Sequence, residues 1–596
     1  MIIKALADYY NQLLSDGIDG ISRPGWISRS VGYIIELSAN GTIRNIVPAD
    51  SKRGWMLSVP EQEKRSSGIA AFFLCDTSTY LLGVDSKGKP DRAIRCFEAA
   101  RALHHAVLDG CESLAAKSIL RYFDTWDPQR ACDCMPFVRE REGLCSGKFV
   151  TFSVSGPDGL FDPSCDQGVM KAWDKFLAKQ SGEKESMVCL ASGERAPIAR
   201  LHPAIKGVYG AQSMGASLVG FNCPAFESYG HEGEQGLNAP VSERIATAYG
   251  AALNYLLQAD SHHVRLGDTT VVYWSEREDK GNCDLFSQLL ASSFDTKDQN
   301  EIEANLDSVM KSMAVGKQIA LDHVDLGANF FVLGLAPNAA RLSIRFFQKG
   351  TFGHFLSNVC KHYEQLEVIH APGARKYLSP YVLLKEVENP NSKKPVVSSV
   401  VGGSLMRSIL TGAPYPESLY ENALLRIRAT NENQDAHTRK VSYGRAAIIK
   451  AYLLRNGRMN QEEITVELNE RRRSTAYALG RTFSIMESAQ EQANGSSRLA
   501  AKYLDSACST PATVFPVLFK LSSAHFEKLM REKPGMAVWL RRQFLDIVGE
   551  EEMIPELPRH LNLREQGEFF LGYYQQTQAR FKSKKQAETD NQNLED

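Results

Sequence analysis

Three polar, basic or glycine-containing segments of this 596-residue chain hold residue types that suit contact with a nucleic acid. The first begins with two basic residues and two hydroxyl residues: Lys64, Arg65, Ser66 and Ser67. A glycine follows, so a phosphate or a nucleic-acid backbone could approach closely while hydroxyl and amide groups donate to it. An ordinary surface turn has the same composition, and the residues alone leave both interpretations open.

The second segment, 210–242, concentrates glycine and alanine around Gln212, Ser213 and Asn222. Amide and hydroxyl side chains of this kind form hydrogen bonds with base edges and with the backbone. The alternative interpretation is a tightly packed junction between a loop and a strand.

The third segment is a predicted β-hairpin over 329–346, with its turn at Pro337-Asn338. Because side chains alternate along a strand, Arg341, Ser343 and Arg345 are expected on one face and Phe346, with the other apolar residues, on the opposite face. Same-face neighbours recur every ~7 Å, so the two arginines could reach different phosphates. The alternative is the solvated face of a half-buried strand.

A fourth basic signal lies in the predicted helices. Residues 421–481 contain 12 Lys and Arg against 7 Asp and Glu, an excess of 5 positive charges, and include Arg471, Arg472 and Arg473. Such a run is commonly a solvated face. It can also be a track for a phosphate backbone, and the three arginines are candidate backbone contacts.

Enzyme signatures are absent from the sequence. The chain has no phosphate-binding G-x-x-x-x-G-K-[ST] loop, no H-E-x-x-H and no G-x-S-x-G. The adjacent histidines at 104–105 and 262–263 would point about 100° apart on a helix, which makes each pair a poor chelate. We therefore predict neither catalytic activity nor a metal or cofactor.

Composition is that of a soluble globular protein, with 43% hydrophobic and 23% charged residues. The net charge of −1 argues against a protein that coats nucleic acid through bulk charge, although it allows local basic surfaces. The 12 cysteines are too few for a disulfide scaffold, and no apolar run reaches the ~18–20 residues of a membrane span. The N-terminus has the spacing of an amphipathic helix and not the pattern of a signal peptide. Since the cysteines are expected to be ordinary reduced thiols, a cytoplasmic protein is expected.

The predicted fold class is α+β. Asn40-Gly41 between two strand-like runs predicts a hairpin over 32–47. After about residue 400 the pattern becomes helical throughout. The predicted architecture is a large mixed body with several antiparallel hairpins over 1–400, a helical connecting region over 401–480 and a helical C-terminal domain over 481–596.

These segments, taken together, resemble the large subunit of the type I-C CRISPR Cascade complex, an RNA-guided surveillance complex of bacteria. Six stretches match in the same order over nearly the whole chain. They are KRSSGIAAFFLCDTSTYLLG (64–83), GAQSMGASLVGFNCPAFESYG with QGLNAPVS (210–242), VVYWSE (271–276), NFFVLGLAPNAARLSIRFF (329–347), GGSLMRSILTGAPYP (402–416), and LGRTFSIMESAQ with STPATVFPVLFKLS (479–522).

The resemblance implies a DNA-binding subunit without nuclease activity. It would lie beside the 5′ handle of the crRNA, among the backbone and handle-binding subunits of Cascade. It would recognise the protospacer-adjacent motif (PAM) in double-stranded target DNA, promote duplex opening and R-loop formation, guide the displaced strand and recruit the helicase-nuclease. Base pairing then determines most of the sequence specificity, and the protein recognises a short motif.

The resemblance also implies roles for particular residues. The loops at 64–76 and 210–222 would contact the PAM duplex, with Gln212 as a wedge between the opened strands. One position departs from the family, whose members commonly have Pro-Asn-Phe-Leu-Cys-Asp where this chain has Ala71-Phe72 before the shared Phe-Leu-Cys-Asp. Asparagine contacts base edges and phenylalanine does not, so Phe72 would instead stack or act as a wedge.

The segment 481–596 resembles the small-subunit-like domain of the family. In type I-C systems an internal start can supply separate small subunits, and Met459 or Met486 could begin such a product. Two other functions compete with this interpretation. One is a metal-dependent nuclease, and the other is a purely structural scaffold of a ribonucleoprotein, which charge reversal at Lys64 and Arg65 would leave unaffected.

Overall fold

The computed structural model describes most of the chain. The described residues are 1–18, 21, 23–50, 54–61, 68–84, 89–157, 159–181, 186–221, 223–227, 230–277, 280–290, 299–314, 324–371, 373–389, 399–430, 439–549 and 553–592. The chain forms two compact units. Unit 1 comprises residues 1–205 and 217–258, and unit 2 comprises 206–216 and 259–596.

Unit 1 mixes helices with short strands. Its helices are α1 (Ile2–Ser15), α2 (Ser78–Leu81), α3 (Pro90–Leu108), α4 (Leu114–Thr125), α5 (Met135–Leu144), α6 (Gln167–Ser181) and α7 (Glu243–Gln258). Its strands are β1 (Trp26–Val31), β2 (Tyr33–Leu37), β3 (Ile43–Pro48), β4 (Trp55–Pro60), β5 (Asp76–Thr77), β6 (Phe149–Gly156), β7 (Gly159–Phe161), β8 (Ser186–Val188), β9 (Arg195–Pro197) and β10 (Ala204–Ile205). The short strand β11 (Ala216–Ser217) lies where the chain returns from unit 2 to unit 1.

The main sheet of unit 1 has the order β3-β2-β6-β5, with β7 paired to β6. Strands β2 and β6 are parallel, and the other neighbours are antiparallel. The predicted Asn-Gly hairpin is confirmed as β2–β3. Gly41 has a φ of +82°, and a Cβ there would lie 2.5 Å from the backbone nitrogen of Tyr122, so both conformation and packing require glycine.

An aromatic core lies between this sheet and the helices of unit 1. Phe152 on β6 makes edge-on contacts with Tyr122 and Phe123 of α4. Phe73 is fully buried and stacks on Trp173 of α6, with ring centroids 5.1 Å apart. These contacts fix the segment that follows the predicted first DNA loop.

Unit 2 contains one antiparallel set of strands and most of the helices. The strands are β12 (His263–Leu266), β13 (Thr269–Ser275), β14 (Asn329–Asn338) and β15 (Arg341–Thr351). The helices are α8 (Lys280–Leu290), α9 (Gln299–Ala314), α10 (Phe352–Leu366), α11 (Pro380–Val387), α12 (Ser399–Thr411), α13 (Glu417–Ala429), α14 (Tyr443–Arg455), α15 (Thr475–Asn494), α16 (Leu499–Ser509), α17 (Pro511–Glu532), α18 (Pro534–Val548) and α19 (Leu563–Gln592).

The strands of unit 2 pair in the order β15-β14-β13-β12. Every residue of β13 is buried, so this strand has no solvent face. Trp274 stacks on Phe331 at 5.1 Å, while the neighbouring Tyr273 contacts Phe286 and Phe330. Because alternate residues of β13 are covered on both sides, the strand provides a rigid base for the loops beside it.

One hydrophobic core runs through unit 2 and continues past residue 400. It includes Phe330 and Phe355 from the strand-rich part and Leu405, Phe483 and Phe569 from the helical part. The predicted boundary near residue 400 therefore lies inside unit 2. The three-part division into a mixed body over 1–400, a helical connecting region over 401–480 and a helical C-terminal domain over 481–596 stays a prediction.

Two glycines allow α15 and α19 to approach closely. A Cβ on Gly480 would lie 2.0 Å from the carbonyl oxygen of Phe569, and one on Gly572 would lie 2.3 Å from that of Tyr477. Helix α15 begins after Ser474, whose hydroxyl accepts from the Tyr477 N–H at 3.4 Å. Small residues at the crossing let the helix backbones touch.

The α+β fold class is confirmed, with antiparallel hairpins in the N-terminal region and helices in the C-terminal part. Among the described residues, no helix combines the length and the apolar character needed to cross a bilayer.

Candidate nucleic-acid interface

Five of the predicted DNA-binding residues lie outside the described residues. They are Lys64, Arg65, Ser66, Ser67 and Asn222. Their roles stay predictions from the sequence. The remaining candidates fall into three places: the turn after residue 70, the loop at 206–216 with the β14–β15 hairpin, and the arginine run before α15.

Phe72 lies in a turn that the protein core holds in place. The Asp76 carboxylate accepts from the Phe72 N–H at 2.8 Å and from the Thr77 N–H at 2.7 Å. The Phe72 side chain is only 7% exposed, and the Arg29 guanidinium lies 5.4 Å from its ring centroid. To stack on a base or act as a wedge, as the resemblance suggested, Phe72 would have to leave this position.

His104 supports the same turn from α3. Its Nε2 accepts from the Leu74 N–H at 3.0 Å, and its Nδ1 donates to the Ala100 carbonyl at 2.7 Å. An accepting Nε2 requires the neutral imidazole. Complete burial lowers the pKa of His104 to about 4. Leu74 has a φ of +59°, an unfavourable conformation that this bond helps to hold.

The loop at 206–216 belongs to unit 2, and hydrogen bonds of its backbone hold it in place. The Tyr209 N–H donates to the Thr270 hydroxyl of β13 at 3.1 Å. Two turns follow, closed by bonds from the Ala211 N–H to the Val208 carbonyl (3.1 Å) and from the Gly215 N–H to the Gln212 carbonyl (2.9 Å).

Gly210 permits the first of these turns, because its φ is +75°. A Cβ at this position would lie 3.4 Å from the Pro337 ring at the tip of the β14–β15 hairpin. The loop and the hairpin, separated by more than a hundred residues in the chain, are therefore neighbours in unit 2. Gln212 and Ser213 are exposed on the loop.

The β14–β15 hairpin is confirmed, but its turn lies two residues later than predicted. Asn338 pairs with Arg341, which leaves Ala339 and Ala340 as the connection. Ala339 has a φ of +53°, the sign that two-residue hairpin turns require.

A β-bulge corrects the predicted alternation on β15. Leu335 pairs with Ile344 and Gly334 pairs with Phe346, so Arg345 is the additional residue. Phe346 consequently lies on the face of Ser343 and is buried, while Ile344 is 46% exposed. The bulge interrupts the two-residue alternation that was expected to place Arg341, Ser343 and Arg345 on one face. The Phe346 ring covers Gly334, where a Cβ would lie 2.4 Å from it.

The side chains of two arginines reach the turn between β12 and β13: Arg265 belongs to β12 and Arg345 to β15. Arg345 lies 3.9 Å from the Asp268 carboxylate. Arg265 donates through Nε to the Gly267 carbonyl at 2.9 Å, and its Cζ lies 3.1 Å from the ring centroid of Tyr209. The loop, the β12–β13 turn and the hairpin thus form one surface of unit 2, which we call the loop–hairpin surface.

The loop–hairpin surface combines the groups that protein–nucleic acid contacts use. Arg265, Arg341 and Arg345 supply three guanidinium groups: Arg345 lies near the Asp268 carboxylate, Arg265 bonds to the neighbouring Gly267 carbonyl, and Arg341 begins β15 beside the hairpin turn. The exposed amide of Gln212 can donate to and accept from a base edge, and guanidinium groups bind phosphate oxygens. Sequence patterns predicted the loop and hairpin residues but not Tyr209 or Arg265. Tyr209 had one signal, its position beside Gly210, and Arg265 had none.

The arginine run before α15 divides in the structure. Arg471 and Arg473 are exposed. The Arg472 guanidinium is buried and donates to the Glu568 carboxylate at 2.6 Å and to the Glu463 carbonyl at 2.7 Å. The expectation that Arg472 contacts a phosphate is therefore corrected, because Glu568 already neutralises it in the interior.

The adjacent histidines serve separate local bonds. His105 interacts with Asp109 and Asp124, and His262 and His263 bond to the carbonyls of Tyr273 and Ala259. Within the described part of the chain, no group of three or more His, Cys, Asp or Glu side chains is arranged to hold a metal ion. All 12 cysteines are described, and none forms a disulfide.

A comparison with protein families identifies the class to which this chain belongs. The model of a family described as CRISPR-associated protein (Cas_Csd1) matches residues 6–581. The chain belongs to the Cas_Csd1 family of CRISPR-associated proteins. A search among curated proteins gave no match. Family membership confirms the coarser part of the resemblance, a CRISPR-associated protein of the Cascade kind that acts in antiviral defence.

Proposed function

We propose that this chain is the DNA-recognising large subunit of a type I-C Cascade complex. In this role it recognises the PAM of double-stranded target DNA, promotes R-loop formation and recruits a helicase-nuclease in the cytoplasm. It would assemble with crRNA, the backbone and handle-binding subunits, and small subunits, and it would not itself cut DNA. The observation that supports this function best is the loop–hairpin surface.

The construction of this surface suits recognition of a short motif. The Gln212 loop is short and bonded to a fully buried strand through Thr270, so the backbone that carries its polar groups is held in place before DNA arrives. Pre-organised donors lose little conformational entropy on binding. A rigid loop of this size can contact only a few base pairs, as expected where RNA pairing provides the remaining specificity.

The charge of the chain supports the same division of labour. A net charge of −1 over 596 residues gives no bulk attraction to DNA, whereas the loop–hairpin surface contains Arg265, Arg341 and Arg345. Each phosphate contact adds about one unit to the dependence of log affinity on log salt concentration. With only a few phosphate contacts, the subunit would bind non-specific DNA weakly and could therefore sample many sites.

The experiment is a binding assay with a randomised PAM on the assembled complex, at stated salt concentrations. Gln212→Ala is expected to weaken binding to the preferred motif by about 5- to 150-fold, since a good base contact is worth ~1–3 kcal/mol. Gln129→Ala is the matched control, because Gln129 is also exposed but lies in unit 1. Equal motif preference in wild type and Gln212→Ala would contradict the assigned role of the loop.

A second arm separates this function from its two competitors. Charge reversal at Lys64 and Arg65 should abolish duplex binding while crRNA assembly persists, and unchanged binding would favour the scaffold. Purified chain incubated with DNA and Mg²⁺ should leave the DNA intact. Cleavage without the helicase-nuclease would favour the nuclease.

A further inference from the structure

Tyr209 carries an aromatic ring that the fold exposes at the centre of the loop–hairpin surface. The residue is 49% exposed, although it lies between Val208, which is buried, and the tightly turned Gly210. Its N–H is bonded to Thr270, so the backbone that carries the ring is fixed to the buried strand β13. The position of the ring is therefore set by the fold.

The guanidinium of Arg265 covers one face of the ring. Its Cζ lies over the ring, 3.1 Å from the ring centroid, in a cation–π contact. A bond from Nε to the Gly267 carbonyl holds the guanidinium in that position. The exposed area of Tyr209 therefore belongs to its edge and its opposite face, which leaves a flat apolar surface next to a positive charge.

We propose that the exposed face of Tyr209, backed by Arg265, is a stacking platform for one unpaired nucleobase of the opened target duplex. This inference rests on the proposed function and assigns to the loop a second contact besides the Gln212 amide. A nucleobase has the flat π surface that an aromatic ring accepts, and its sugar-phosphate brings the negative charge that the nearby Arg265 and Arg345 attract.

The energetic reason for such a platform follows from duplex opening. A base that leaves its stack loses its neighbours, and stacking on an aromatic side chain restores ~1–3 kcal/mol per base. Because every base has a π face, the contact tolerates any sequence. It would stabilise the first opened position, while Gln212 contributes motif recognition.

The test combines a protein variant with a DNA lesion in the assembled complex. Abasic sites are placed one at a time at the first three positions beside the recognised motif, on each strand. Each abasic site lowers the affinity of the complex by some factor. At one position this factor is expected to be about 5- to 150-fold larger for wild type than for Tyr209→Ala. Tyr209→Phe retains the ring and should behave as wild type. If no position shows this difference, the inference is overturned.

A fluorescence measurement needs no variant and guards against misfolding of Tyr209→Ala. 2-Aminopurine is placed in turn at the same three positions on each strand. At one position it should stay quenched after opening in the wild-type complex, and bright emission at every position would overturn the platform. Failure of the wild-type complex to bind any duplex would refute the proposed function itself, and the platform with it. Motif-dependent binding that Gln212→Ala impairs and Tyr209→Ala does not would refute the platform alone.

Discussion

Replacing Arg472 by methionine should destabilise unit 2 without changing a DNA contact. The Arg472 and Glu568 side chains are 6% and 8% exposed and lie 2.6 Å apart. The Ser474 hydroxyl also donates to Glu568 at 2.6 Å. Arg472→Met would leave the Glu568 carboxylate buried beside one hydroxyl, without its positive partner.

The expected cost is about 3–5 kcal/mol, the usual consequence of removing one partner from a buried ion pair. A double variant, Arg472→Met with Glu568→Leu, removes both charges and should recover most of this loss, because it leaves no uncompensated ion. Arg471→Met is the matched control. Arg471 is exposed, so its replacement should change stability by less than ~0.5 kcal/mol.

Hydrogen exchange of peptides from α15 and α19 measures the effect where the pair lies. Protection there should fall between about 10²- and 10⁴-fold in Arg472→Met, and stay near wild type in Arg471→Met. The reasoning would be refuted if Arg472→Met left the protection unchanged and lowered the slope of log affinity for DNA against log salt concentration by about one unit. That outcome would mean that Arg472 contacts a phosphate.

Three further predictions follow from the packing. The free energy of unfolding should fall as pH drops from about 6.5 to about 4, because the unfolded chain protonates His104 while the fold holds its pKa at about 4. The contribution is on the order of 3 kcal/mol. If His104→Gln loses as much melting temperature as wild type over this pH range, the prediction is contradicted. Gly480→Ala should destabilise α15 against α19 by several kcal/mol in urea unfolding, whereas Gly535→Ala, with nothing within 4 Å of the added Cβ, should be within ~1 kcal/mol of wild type. We expect an internal start at Met459, because a product from Met486 would begin inside α15. Intact-mass analysis of the expressed gene should show residues 459–596, and a product from Met486, or no short product, would refute this.

Features that depend on neighbouring residues could be predicted from the sequence. Asn40-Gly41 determined a hairpin because its backbone accepts positive φ angles, and the period of apolar residues determined an amphipathic helix at the N-terminus. The β14–β15 hairpin and the exposed Gln212 loop followed from the same local chemistry. Only the position of the hairpin turn differed, since the pairing continued to Asn338 and Arg341.

Features that depend on distant residues were decided by the tertiary structure. Arg471 and Arg472 are adjacent and chemically identical, yet one is exposed and the other is buried because Glu568, 96 residues away, lies against it. The register shift that leaves Arg345 as the additional residue lies where the Phe346 ring packs over Gly334 of the neighbouring strand, a contact between residues 12 positions apart.

The Tyr209 platform shows the same limit. Its two parts, Tyr209 and Arg265, belong to segments with no common sequence pattern, and they meet because Thr270 of β13 bonds the loop beside the β12–β13 turn. The sequence by itself determined which local elements form and which chemical groups they carry. Which of those groups meet one another, and which stay at the surface, was decided by the packing of the buried core, because burial depends on contacts that no local pattern records.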